Sequence, residues 1–145
     1  MKIEDVEKMW EEDCEIDSVD LAGSALNIPK LHNKYFKIYN AIRLKILSLK
    51  DKQTDLIKIK NEYYSGKLSK EELDEYGWEP FQYKVLRNDL KTYTDSDPDL
   101  KKIRSRIEYF EIVLEYLKSI IEQINKRNFS IKAAIDWKRF TAGEM

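Results

Sequence analysis

"PDLKKIRSRIEYFEIVLEYLKSIIEQIN", residues 98–125, decides the fold. Its apolar side chains are Leu100, Ile103, Ile107, Phe110, Leu114, Leu117, Ile121 and Ile124, separated by steps of three and four in unbroken alternation. A strand would bury every second residue. A step averaging about 3.5 residues is that of a helix whose one stripe packs against another helix. The spacing therefore predicts a long helix over 98–127. It opens in the turn "TDSDPD", where Asp97 precedes Pro98 and proline suits a first helical turn. Asn128 can end it, and Ser130 can cap a separate terminal helix through "FSIKAAIDWKRF", with Ile131, Ala134, Ile135 and Trp137. That terminal helix docks either on another subunit or on its own hairpin.

Such a seam needs a partner, and the sequence supplies one at about 29–65. Ile28, Tyr35, Ile42, Leu49, Leu56 and Tyr63 recur every seventh residue. The companion row is Leu31, Ile38, Lys45, Lys52 and Ile59, thinned by its two lysines, with Ile46 placed to widen the face. Pro29 suits the first turn and Gly66 the C-terminal stop. The two long helices are expected to form an antiparallel hairpin joined by the middle segment. Ser69 and Glu72 have capping-box spacing for a short helix closed by Gly77 and Pro80. "YGWEPFQY" (76–83) reads as an aromatic connector, and 81–93 as a further helix with Val85, Leu86 and Leu90. At the N-terminus, Ile3, Val6 and Trp10 share a face of a helix over 3–14. Asp17-Ser18 offers a cap for a short helix carrying Leu21, Ala22, Ala25 and Leu26, which Gly23 weakens.

The class is thus all-α: two long helices with short flanking helices, in a single domain over 1–145. With 4 glycines and 3 prolines, turns are too few for an all-β fold. There is no run of about 18 apolar residues to span a membrane, and the acidic N-terminus does not read as a signal peptide. Cys14 is alone, which excludes an internal disulfide and a cysteine zinc cage. His32 is the only histidine, so a triad or histidine metal site cannot be assembled. No phosphate-cradling glycine loop is present. The reading is a protein with no catalytic residues, no metal and no cofactor.

The net charge of −1 conceals segregation. Residues 1–29 carry net −7, 30–68 net +7, 69–99 net −5, and 100–145 net +4. Such blocks suit a local polyanion site, with acidic parts of one subunit meeting basic parts of another, or a balance within one monomer. The basic block ends in "IKIKNEYYSGK" (57–67). Tyr63 falls on the seam. Lys58 and Tyr64 fall off it, and Tyr64 reads as exposed, where it could stack on an unpaired base while Lys58, Lys60 and Lys67 meet phosphates.

"KIKNEYYSGK" resembles the signature of the UvsY family, the recombination mediators of T-even-type bacteriophages, in which a basic-x-basic pair leads into an acidic residue and Tyr-Tyr-Ser-Gly. "IDSVDL" (16–21) resembles the family's Ile-Asp-Ser start, and "RNFSIKAAIDWKRFTAGE" (127–144) its Arg-Gly-Phe-(small)-Ile-Lys ending. The likeness touches start, middle and end. One departure falls in the basic pair, whose second member is arginine in the family and Lys60 here; lysine keeps the charge and loses the planar fork. The resemblance implies single-stranded DNA binding without catalysis, and assembly into a ring-like homo-oligomer, a hexamer or heptamer, through the C-terminal region, here 129–145. It further implies loading of a phage recombinase onto DNA coated by the phage single-stranded DNA-binding protein, in the cytoplasm of an infected bacterial host. It marks Lys58 and Lys60 as DNA contacts, and Phe129, Ile131, Ile135 and Phe140 as the assembly surface. The rival reading is a helical coiled-coil scaffold that binds only proteins.

Overall fold

The computed structural model describes residues 1–144. Its elements are all helical: α1 (Ile3–Asp13), α2 (Leu21–Leu26), α3 (Ile28–Tyr64), α4 (Lys70–Tyr76), α5 (Leu90–Asp95) and α6 (Pro98–Thr141). The two long helices are bracketed as their sequence dictates. Pro29 stands in the first turn of α3. At its end Gly66 takes φ +71°, its N–H donates to the Tyr63 carbonyl, and the Lys67 N–H donates back to that of Glu62 at 2.9 Å. This closes two carbonyls that the helix leaves unpaired. α6 opens on Asp97, whose Oδ1 accepts from the Asp99 and Leu100 N–H groups at 2.9 and 3.0 Å.

The chain packs as two compact units, where the length and composition suggest one domain. The first comprises Met1–Leu44 and the chain from Glu111 on; the second is Lys45–Phe110. Each long helix contributes to both.

The first unit is built on Val6, Leu21, Leu31, Tyr35, Ile42, Val113, Leu117, Ile120, Ile124 and Ile131, all buried. Polar ties fix its N-terminal helix. Asp13 Oδ2 accepts from Lys34 at 2.5 Å and from the Tyr35 hydroxyl at 2.8 Å, and Trp10 packs edge-on against Tyr35. Arg127 donates to the carbonyls of Asp13 and Glu15 at 2.8 and 2.7 Å, and Lys138 to that of Ser18. The second unit buries Ile46, Leu49, Leu73, Leu100 and Ile107, together with the polar side chains of Lys60, Thr94 and Asp97.

Four expectations are corrected. α6 does not stop at Asn128: it runs unbroken to Thr141, so Ser130 caps nothing. Between Pro98 and Gly143 there is neither glycine nor proline, and asparagine or serine costs a helix interior only a few tenths of a kcal/mol. Ile131, seven residues after Ile124, extends the buried row through the supposed break. The helix expected over 81–93 is confined to Leu90–Asp95, because Tyr83 and Leu86 stand exposed and give a longer helix no face to bury. α2 is capped by Asp20, which accepts from the Gly23 N–H at 3.0 Å, and not by Asp17-Ser18. On α6, Val113 and Ile120 are buried while Leu114 and Ile121 are half-buried. α1 lies beside this part of α6, where burial and then the α1 residues Glu7 and Glu11 push the Tyr116 hydroxyl above its ordinary value, so the buried face is wider there than a two-helix seam.

Candidate nucleic-acid interface

The basic pair at the end of α3 is not one surface. At about 100° per residue, Lys58 and Lys60 point about 160° apart. Lys60 instead lies within about 20° of Leu49, eleven residues earlier, and Leu49 is buried. A straight helix drifts by about 20° per heptad against a seven-residue repeat. Along α3 that drift moves the inward row from the Lys45–Lys52–Ile59 register to Ile46–Gln53–Lys60. Lys45 and Lys52 are exposed as a result, and Lys60 is carried into the core with 4% of its surface exposed.

Inside, Lys60 is fully engaged. Its Nζ lies 3.0 Å from Asp97 Oδ2 and 2.8 Å from Asp99 Oδ2, and 4.0 Å from the centre of the Trp78 ring. The Asp97 side chain is 2% exposed, that of Asp99 56%. Asp97 is the hub: one oxygen caps α6, the other takes Lys60 and the Tyr64 hydroxyl, which donates at 2.6 Å. Burial is the largest influence on this carboxyl and favours its neutral form. The hydrogen bonds from Tyr64, the Leu100 N–H and Lys60 outweigh it and hold the group below the ordinary carboxylate range. The Tyr64 hydroxyl is pushed above its ordinary value, first by burial and then by its hydrogen bond to Asp97.

Tyr64 is therefore not the exposed stacking residue expected from its place off the seam. It is half-buried, with Phe81 edge-on at 4.9 Å and Tyr93 at 5.7 Å. Tyr63 meets Trp78 at 5.2 Å and Phe81 at 5.9 Å, and its hydroxyl donates to the Glu79 carbonyl at 2.6 Å. The two tyrosine rings touch each other at 5.1 Å and both meet Phe81, so the pair grips the connector together. An aromatic, proline-bearing stretch is held in place by ring contacts and one ion-pair hub.

Lys58 and Lys67 remain at the surface. Of the four residues expected to meet DNA, two are displayed and two work beneath. Of the four expected to form the assembly surface, Phe129, Ile135 and Phe140 are exposed, while Ile131 is 2% exposed and belongs to the core of the first unit. Trp137, stacked on Phe140 at 5.7 Å, joins the exposed set. Asp97, Asp99 and Trp78 escaped the sequence reading of the site. The eleven-residue interval from Leu49 to Lys60 is the signal that a cation sits on a core row and needs a buried partner.

Fold and site together define an all-α protein that displays cations at the end of a long helix and locks that end from within. The chain belongs to the UvsY family, the recombination, repair and ssDNA binding protein UvsY, whose family model matches residues 9–144. It is 26% identical over 144 residues to the recombination protein uvsY of Enterobacteria phage T4, covering 99% of this chain and 100% of that one. Crystal structures of the bacteriophage T4 recombination mediator protein UvsY superimpose on it. Lattice type IV gives a TM-score of 0.85 at 25% identity, covering 97% of this chain and 99% of that one; lattice type II gives 0.84 at 26%, covering 98% of each.

Proposed function

We propose that this chain is a phage recombination mediator. It binds single-stranded DNA and helps load a recombinase onto DNA already covered by single-stranded DNA-binding protein, in the host cytoplasm. The carrying observation is the end-to-end likeness to the T4 mediator, in sequence and in fold. In this reading the strand follows the exposed Lys58 and Lys67. Lys60 and Tyr64 serve it from beneath by fixing the connector and the start of α6 against the end of α3. The same hub reverses the chain there, which supports an antiparallel pairing of the two long helices. Phe129, Ile135 and Phe140, large apolar groups left in water, suit an assembly surface within 129–145. A ring of six or seven copies would repeat the basic block of 30–68 around an axis. Weak contacts along one strand would then add through effective concentration.

The test is an order-of-addition assay. Recombinase ATPase is followed on single-stranded DNA pre-coated with its binding protein, with and without this chain. Shortening of the lag is expected. No shortening, together with no binding of an oligothymidylate at low salt, would remove the mediator reading and return the chain to a protein-only scaffold.

A further inference from the structure

A second cationic feature lies beside the hub. The second unit carries an open groove of about 600 Å³, within the ordinary range for ligand sites. α3 gives it Ile57 and Asn61, α6 gives Arg104, and the segment between gives Arg87, Lys91 and Asp95. The three cations come from separate places in the sequence and stand exposed around one opening. Arg87 and Lys91 belong to the otherwise acidic block 69–99, which brings two of its four basic residues to this rim. They meet there the basic start of α6.

The floor differs in chemistry from the rim. Ile57 keeps 40% of its surface exposed within the groove lining, and Asn61 adds an amide that can donate and accept. Lys58 precedes Asn61 by three residues, so the two are neighbours on the helix surface and Lys58 continues the rim. A polyanion with flat apolar rings spaced along it matches this pattern: cations for phosphates, an apolar floor and an amide for a base.

We propose that this groove seats a short run of single-stranded DNA, with Arg87, Lys91 and Arg104 on phosphates and Ile57 and Asn61 against a base. The proposal rests on the reading of the chain as a single-strand binder. It places the strand in the opening between α3, α5 and α6, on side chains other than Lys60. Asp95, on the same lining, opposes the phosphates and limits affinity.

The experiment is fluorescence anisotropy of a labelled oligothymidylate across a sodium chloride series, with folding of each variant checked by circular dichroism. Wild type, Arg87→Ala/Arg104→Ala and Asp95→Asn are compared. The double variant is expected to flatten the slope of log affinity against log salt by about 1.4, about 0.7 for each lost phosphate contact. Asp95→Asn, which removes a repulsion, is expected to bind more tightly at low salt. An abasic oligomer of equal length is expected to bind wild type more weakly. If wild type binds and both variants superimpose on it, the groove assignment fails and the single-strand reading survives. If wild type does not bind, both fail. If polyglutamate of equal charge binds as tightly as oligothymidylate, with the same loss in the double variant, the groove belongs to an acidic protein segment and the proposal is overturned.

Discussion

Replacing Lys60 with methionine separates a structural lysine from a DNA-contacting one. The substitution keeps an unbranched side chain of similar length and removes the charge that sits over Trp78. Asp97 is then left 2% exposed with its principal cation gone. Removing one partner of a buried ion pair costs about 3–5 kcal/mol, because the other charge stays behind without compensation. Asp97 retains the Tyr64 hydroxyl and the N–H groups of Asp99 and Leu100, which places the cost near the lower end, about 3 kcal/mol. The contact of Lys60 with half-exposed Asp99 adds little. The ammonium over Trp78 is offset in part by a sulfur–aromatic contact. With m about 2 kcal/mol/M, the urea midpoint of Lys60→Met falls by about 1.5 M, measured at fixed protein concentration because self-association shifts apparent stability. Lys58→Met, at an exposed position, stays within about 0.5 kcal/mol of wild type and flattens the salt slope of DNA binding by about 0.7. The reasoning is refuted if Lys60→Met unfolds within about 0.5 kcal/mol of wild type, or if it is fully folded and loses salt slope as Lys58→Met does.

Other outcomes follow from the same geometry. The Tyr35 and Tyr64 hydroxyls, buried and donating to Asp13 and Asp97, have pKa values raised above the ordinary value of 10. Their protonated forms belong to the folded state, so this stability is whole below pH 10 and is lost as pH rises through the folded values. Tyr64→Phe flattens the alkaline decline in urea midpoint, and ultraviolet titration shows late-ionising tyrosines in the native protein that ionise normally in urea. At the acid end, Asp97 is held low by the same hub; its contribution is present above about pH 3.9 and fades as pH falls through its depressed value. Asn128→Pro breaks α6 in its C-terminal third and costs about 3 kcal/mol or more by chemical denaturation; a neutral result would mean that the helix ends at Asn128. Gly66→Ala meets no atom within 4 Å yet must hold φ +71°, so it costs about 1 kcal/mol through backbone conformation alone.

Much of the fold was legible because it is written locally. Pro29 and Gly66 bracket one long helix, Pro98 opens the other, and Ser69 caps the short helix between them through the Glu72 N–H. Every one of these signals acts within a few residues of itself. The errors fell where a local signal competed with burial. Asn128 and Ser130 are credible stops only if nothing beyond them packs, and Ile131 does pack. Val85 and Leu86 suggest a helix only if a surface exists to receive it.

The candidate site shows the same division more sharply. Sequence by itself determined that the chain is all-α, that its positive charge gathers along the first long helix, and that "KIKNEYYSGK" carries part of a family likeness that touches start, middle and end. Only the tertiary structure decided which of those cations meets solvent. Two lysines a single residue apart look equivalent in a string, but a helix turns them about 160° from each other. The slow drift of a 3.6-residue helix against a seven-residue pattern selects Lys60 for the interior. Its partners, Asp97, Asp99 and Trp78, lie eighteen to thirty-nine residues away, at distances in sequence that no local rule can connect.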